Sequence, residues 1–174
     1  MKLTGKRVGV LVEEGFEDLE FWVPVMRLRE EGAEVVVIGT GRQPVFKGKH
    51  CLEARPDVTA EQVSAEGLDG LVVPGGWGPD KLRRFDAVLD LVRAMHAQGK
   101  VIASICHGGW VLASAGIVRG RKATGSRGIR DDLQNAGAQW VDAPAFREGN
   151  LVWGRVVADI PAFCRELIAA LSEA

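Results

Sequence analysis

The sequence has no tyrosine, and its phenylalanines and tryptophans bring the aromatic share to only 6%. No phenol is therefore available as an acid, base or ligand. Cysteines are few, at 51, 106 and 164. Odd in number and widely spaced, they argue against a disulfide framework or a zinc cluster and for a reducing compartment. No apolar run approaches the roughly 20 residues that a membrane helix needs. Basic and acidic residues nearly balance, 22 against 23, for a formal net charge of -1. Neither nucleic acid nor a membrane surface is expected as partner, since each calls for a clustered basic face. Two small basic groups, Lys47 to His50 and Arg119 to Lys122, read as solvated loops. Met1 to Arg7 carries charge but no apolar segment of the secretory kind, so a cytoplasmic protein is expected. No strand is followed by the full G-x-G-x-x-G spacing, which argues against a flavin or dinucleotide protein.

What is present is a chain of 174 residues, 47% of them hydrophobic, suited to one domain with a substantial core. Arg7 to Val12 is a β-branched run that reads as a buried parallel strand. Phe16 to Glu31 has apolar residues at helical spacing, Gly32 closes it, and Pro24 is expected to kink it or loosen its first turns. Glu34 to Ile38 is the next strand. Residues 39 to 56 imply turns and a short hairpin, and Thr59 heads a short capped helix over Glu61 to Glu66. Gly70 to Val73 is a further buried strand that runs into Pro74-Gly75-Gly76-Trp77-Gly78-Pro79. A glycine loop there sets backbone N–H groups at the carboxyl edge of the sheet, where open α/β proteins bind ligands; taken singly, Gly75 or Gly76 also fits a tight turn. Ala87 to Gln98 is helical by its apolar stripe.

The remaining elements are a strand near Lys122 to Thr124, a helix over Ile129 to Ala136, a strand at Gln139 to Val141 and a hairpin of Ala145 to Arg147 with Leu151 to Trp153. An amphipathic helix over Pro161 to Leu171 follows, with Asp159 as its N-cap. This alternation predicts an α/β sandwich, a mostly parallel sheet with helices on both faces.

Val101 to Gly116 is the stretch with the most chemistry in it. A short apolar strand ends at Ile105, Cys106 stands at the join, and a helical pattern starts at Gly108. So abrupt a change of direction is a nucleophile elbow, with Gly108 and Gly109 leaving room for the turn. It holds the Cys106 thiol above the N–H groups of a helix terminus, where an acidic, reactive thiol is expected. Against this, a lone cysteine is often just a small buried hydrophobe. His107 lies beside the thiol only if the turn is this sharp. Glu17 and Glu20, three apart at a helix start, share a face and approach the same point, although carboxylates there also simply complement the helix dipole.

The segments G-F-E-D-L-E-F-W-V-P at 15 to 24, V-P-G-G at 73 to 76, A-S-I-C-H-G at 103 to 108, S-A-G-I-V-R-G-R-K at 114 to 122 and G-I-R-D-D-L-Q-N-A-G at 128 to 137 closely resemble the PfpI intracellular protease family of the DJ-1 superfamily. The resemblance implies a flavodoxin-like sandwich without metal or cofactor, assembled as homodimers or as rings of dimers such as hexamers. It implies Cys106 as nucleophile, Glu20 as the carboxyl bonded to its sulfur, Glu17 as a second acid and His107 as the histidine of a Cys-His pair. The oxyanion and substrate groups fall on Gly75, Gly76, His107 and Gly108. A third triad acid, a glutamate from the adjacent subunit in the family, falls on Asp80, and the family tyrosine near the cysteine is replaced at about Ser126. The implied reactions are peptide hydrolysis, or cofactor-free glyoxalase or deglycase chemistry on small reactive carbonyls. A stress-response redox sensor or chaperone using oxidation of Cys106 is the alternative. A glutamine amidotransferase is disfavoured because no histidine follows His107 to serve as a distant base.

Overall fold

The computed structural model describes residues 1–174. The chain runs β1 (Arg7–Leu11), α1 (Asp18–Glu30), β2 (Glu34–Gly39), β3 (Phe46–Lys47), β4 (Glu53–Ala54), β5 (Val58–Thr59), β6 (Gly70–Val73), α2 (Gly78–Leu82), α3 (Asp86–Ala97) and β7 (Val101–Ile105). It continues through α4 (Gly109–Ala115), β8 (Lys122–Ala123), α5 (Arg130–Asn135), β9 (Gln139–Trp140), β10 (Ala145–Glu148), β11 (Leu151–Gly154) and α6 (Ile160–Glu173). Seven strands form the central sheet in the order β10-β11-β7-β6-β1-β2-β5. All pairings are parallel except β10 with β11.

The β-branched and aliphatic runs form the middle of the sheet because both of their faces are covered. On one face Phe21, Val25 and Leu28 of α1 and Phe163, Leu167 and Leu171 of α6 pack with Val8, Val10 and Val72. On the other, Val88 and Val92 of α3, Val111 and Leu112 of α4 and Leu133 of α5 pack with Leu71 and Ile102. The expected sandwich is thus the observed one.

Local differences have local causes. The helix expected over Glu61 to Glu66 is two 3-10 turns, Ala60–Gln62 and Ala65–Gly67, headed by Thr59, whose N–H donates to the Gln62 side chain at 2.9 Å. Pro24 is accommodated within an α1 that runs unbroken from Asp18 to Glu30. Asp159 takes the N-cap position of α6, but its carboxylate receives the guanidinium of Arg155 instead of a helix N–H. The short α2 was hidden in a segment that reads as a glycine-proline loop, and β8 with β9 forms a separate two-stranded sheet.

Candidate active site

The turn after β7 is sharper than its glycines require. Cys106 itself takes φ +58°, one of two non-glycine residues with positive φ, a left-handed conformation that costs an L-residue about 1–2 kcal/mol. Gly108 and Gly109, expected to supply this freedom, have ordinary φ of -54° and -56°. They are small for another reason. A Cβ at 108 would sit 2.3 Å from the Val73 carbonyl oxygen, and one at 109 would sit 3.0 Å from Ile129 Cδ1. The elbow is seated by close packing, and the strain is concentrated on the residue that carries the sulfur.

Opposite the elbow, the glycine loop is stitched to the start of α1. Glu17 caps the helix, its Oε2 accepting the Glu20 N–H at 2.9 Å, while its own N–H donates to the Gly75 carbonyl at 3.0 Å. Gly76 bridges to Phe16 with φ +80°, and a Cβ there would lie 2.3 Å from the Glu17 nitrogen. The Gly75 N–H donates to Glu20 Oε2 at 2.9 Å. Gly75 is therefore a positioning donor for the buried carboxyl rather than a free oxyanion donor. The backbone N–H groups of Gly76 and His107 are near enough to the Cys106 sulfur to favour its thiolate. Glu20 Oε1 is buried without an aligned hydrogen bond, and the thiol lies within hydrogen-bonding reach of that carboxyl.

A cavity of about 490 Å³ opens over this point and is lined by Glu17, Glu20, Gly76, Cys106 and His107 together. Gly108 and Asp80 are outside it. Gly108 is packed beneath the elbow, and Asp80, half exposed on α2, is ion-paired with Arg84. Ser126, at the expected place of the family tyrosine, donates its N–H to the Cys106 carbonyl at 3.2 Å.

The electrostatics depart from the expected acidic thiol. Burial, and then the charge of Glu17, raise Glu20 to about 7. Burial, and then the charge of Glu20, push the Cys106 thiol up to about 12. The terminus of a seven-residue helix, entered through a 3-10 turn, is outweighed by desolvation and a facing carboxylate. The two groups titrate as a pair that loses its first proton near pH 7 and shares the one that remains above it. Placed on Glu20, that proton removes the repulsion and donates a hydrogen bond to the sulfur, which favours the thiolate.

His107 Nδ1 is 3.3 Å from Cys106 Sγ. Burial, and then the charge of Lys49, hold its imidazole below the usual value, so the ring is neutral at pH 7. The ring is flanked by Trp110 and Trp77, and Nε2 has no hydrogen-bond partner in the chain.

Lys49, His50 and Trp77 also line the cavity. Lys49 and His50, expected in a solvated loop, are here because the β3–β4 hairpin folds back onto the start of α1, which nothing local in the sequence signals. No three His, Cys, Asp or Glu side chains converge as a metal site.

Comparison with known proteins finds a family for the chain. The model of the DJ-1/PfpI family matches residues 6–170. A protein of Pyrococcus horikoshii named as a deglycase is 43% identical over 165 residues, spanning 95% of this chain and 99% of its own. A Bacillus subtilis protein, YraA, named as a candidate cysteine protease, is 37% identical and spans 95% of this chain and 98% of its own. Among solved structures, an Anabaena variabilis protein with DJ-1/ThiJ/PfpI-like and ferritin-like domains superimposes with a TM-score of 0.93 at 37% identity. That match covers 95% of this chain and 48% of the longer one.

Proposed function

The chain belongs to the DJ-1/PfpI family, and from that membership and the site geometry we propose that it is a cysteine-dependent, cofactor-free glyoxalase or deglycase acting on reactive carbonyls. Cys106 is the nucleophile and Glu20 the proton carrier. The observation that carries this reading is the convergence of a strained cysteine, a carboxyl with pKa near 7 and two backbone N–H groups on one small cavity.

Each group has a step suited to it. The thiolate adds to the aldehyde carbon of a 2-oxoaldehyde, a C–S bond forms, and the carbonyl π pair moves to oxygen. That oxygen, two bonds from sulfur, comes within reach of the N–H groups of Gly76 and His107, and Glu20 delivers its proton there to give a hemithioacetal. The Glu20 carboxylate then takes the proton from the former aldehyde carbon and returns it to the neighbouring carbon, while the hydroxyl proton passes from the first oxygen to the second, leaving a 2-hydroxy thioester. Water releases the 2-hydroxy acid and restores the thiol. Methylglyoxal plus water thus gives lactate and a proton. A carboxyl that changes protonation near neutrality suits two transfers in opposite directions.

Peptide hydrolysis is the second reading, favoured by the Cys106–His107 contact and by the name of the Bacillus relative. It asks more than one chain offers, because His107 Nε2 lacks the third group that orients a catalytic imidazole. Asp80 of a second copy, in a homodimer or hexamer, is the group proposed to complete it. Methylglyoxal turnover and peptide hydrolysis measured side by side, with Cys106→Ser as control, test both readings. Turnover of methylglyoxal that disappears in Cys106→Ser is the expected result. Full activity in that variant overturns the nucleophile, and activity on neither substrate favours an oxidation-sensing role for Cys106.

A further inference from the structure

The turn that overhangs the cavity is held with unusual firmness. Gly48 donates to the Leu52 carbonyl at 2.8 Å, Cys51 donates back to Gly48 at 3.0 Å, and the Lys49 N–H reaches the Phe16 carbonyl at 2.9 Å. Beneath it lies Asp18, only 2% exposed, whose two carboxylate oxygens accept the N–H groups of His50 at 2.8 Å and Leu52 at 2.9 Å. The backbone is pressed so closely onto this carboxylate that a Cβ at Gly48 would stand 2.4 Å from Asp18 Oδ2. Cys51 completes the turn with φ +70°, the other positive-φ non-glycine residue of the protein.

What this turn presents is a cation without a counterion. The Lys49 ammonium stands 5.3 Å over the Trp77 ring at the mouth of the cavity and takes part in no ion pair or side-chain hydrogen bond. The nearby acids are committed elsewhere. Glu17 Oε1 faces His50 Nε2 at 3.8 Å, Glu14 Oε2 accepts from Gln43 and the Lys47 N–H, and Glu20 is buried against the Gly75 N–H and the thiol. The Lys49 charge nevertheless reaches inward, since it bears on both Glu20 and His107. An unpaired cation carried on a firmly held turn beside a nucleophile, with an aromatic wall at its back, favours an electrophile that brings its own anion.

We propose that Lys49 is a specificity-determining residue that selects substrates carrying a carboxylate a few bonds from the reactive carbonyl, an anionic 2-oxoaldehyde in preference to a neutral one. This deepens the proposed reaction and rests on Cys106 as the reacting thiol. The chemistry is unchanged. The thiolate adds to the aldehyde carbon, the proton moves between the two carbons through Glu20, and water releases a 2-hydroxy dicarboxylate. Asp18 acts through the turn as a positioning residue.

Alkylation of Cys106 separates charge selection from turnover. Iodoacetate and iodoacetamide both form a C–S bond with loss of iodide and differ only in carboxylate against amide. Rates at Cys106 are read by peptide mapping, which resolves it from Cys51 and Cys164. In Lys49→Met the iodoacetate-to-iodoacetamide rate ratio is expected to fall about two- to fivefold, the range for a solvent-screened charge pair; Lys49→Arg restores it and added salt lowers it in the native protein. Both variants alter an exposed side chain, and the iodoacetamide rate reports an intact site. A ratio unchanged in Lys49→Met overturns the inference.

Turnover of 4,5-dioxopentanoate against neutral 2-oxopentanal is the second measurement. Native preference for the anion that is lost in Lys49→Met supports the full proposal. Equal turnover of both, with an unchanged alkylation ratio, sinks the inference and leaves the carbonyl reaction standing. Turnover of neither, with a ratio that falls, sinks the reaction and leaves Lys49 as a selector of anionic electrophiles.

Discussion

His107 Nδ1 stands 3.3 Å from the sulfur of Cys106, although the two residues are consecutive and neighbouring side chains ordinarily diverge. The contact exists because Cys106 adopts φ +58° and turns the chain into a helix within a single residue. The site therefore stores backbone strain on its reacting residue. Replacing the sulfur while varying the strain exposes it. Cys106→Gly is expected to be more stable than Cys106→Ala by about 1 kcal/mol, because alanine keeps the left-handed penalty and glycine does not. Urea denaturation of the two inactive variants checks this, and equal midpoints would mean that the turn is unstrained.

The buried Glu20 makes stability depend on pH in a direction opposite to most carboxylates. Its folded pKa, about 7, lies above the ordinary 4.5, so between these values the folded state keeps a proton that the unfolded state has lost. Stability from this group is full below about pH 4.5 and declines as pH rises to about 7, by an amount on the order of 3 kcal/mol at most. His96 and His107, held below their usual value of 6.5, act the opposite way, adding stability as pH rises toward that value. Glu20→Gln isolates the carboxyl. Its stability relative to the native protein is expected to rise from pH 5 to pH 8 in denaturant titrations, and a flat difference counts against a buried, proton-holding Glu20.

Much of this arrangement is written locally. Val101 to Ile105 is apolar and short, Cys106 follows it, and a helical stripe follows that, so the elbow needs no tertiary information to be recognised. The β-branched stretches Val8 to Val10 and Val35 to Val37 are equally plain, because strands covered on both faces need apolar side chains on both. Lys49 and His50 are different. Their place at the cavity is set by hydrogen bonds from a hairpin tip to Asp18, more than 30 positions away, and no periodicity encodes such a bond. The thiol's charge state was hidden for the same reason. It depends first on desolvation, which the sequence does not display, and only then on Glu20, which it does.

The Asp18 strap gives its own prediction. Asparagine at 18 keeps one acceptor and turns an amide NH2 toward a backbone N–H, so Asp18→Asn is expected to cost about 1–3 kcal/mol. The loss should appear as faster amide hydrogen exchange at His50 and Leu52, with the central strands still protected. Slow exchange at both amides would show that the turn holds without the carboxylate.

Two glycines near the elbow test whether space or backbone angle is limiting. Gly108 has helical φ but no room, since its Cβ would stand 2.3 Å from the Val73 oxygen. Gly116 has φ +79° and open space around it. Gly116→Ala is expected to lose about 1 kcal/mol, whereas Gly108→Ala must shift the strand or the elbow and lose several times as much. Thermal unfolding of the pair decides it, and equal losses would contradict the close seating of the turn on β6.

His107 separates the two reactions proposed for the site. Carbonyl addition uses the thiolate, the backbone N–H groups and Glu20, and asks of His107 only its main chain. Peptide hydrolysis asks for its ring as the acid that protonates the departing amine. His107→Ala is therefore expected to lower methylglyoxal kcat/KM by less than about tenfold but any peptide hydrolysis by about a hundredfold or more, the usual weight of a general acid. Both rates are read on one preparation, since substitution of a half-buried ring between Trp77 and Trp110 can loosen the cavity and lower them together. A loss confined to peptide hydrolysis assigns the imidazole to that reaction. A hundredfold loss of methylglyoxal turnover, with the Cys106 alkylation rate preserved, would instead make His107 a proton carrier in the carbonyl reaction and displace Glu20 from that role.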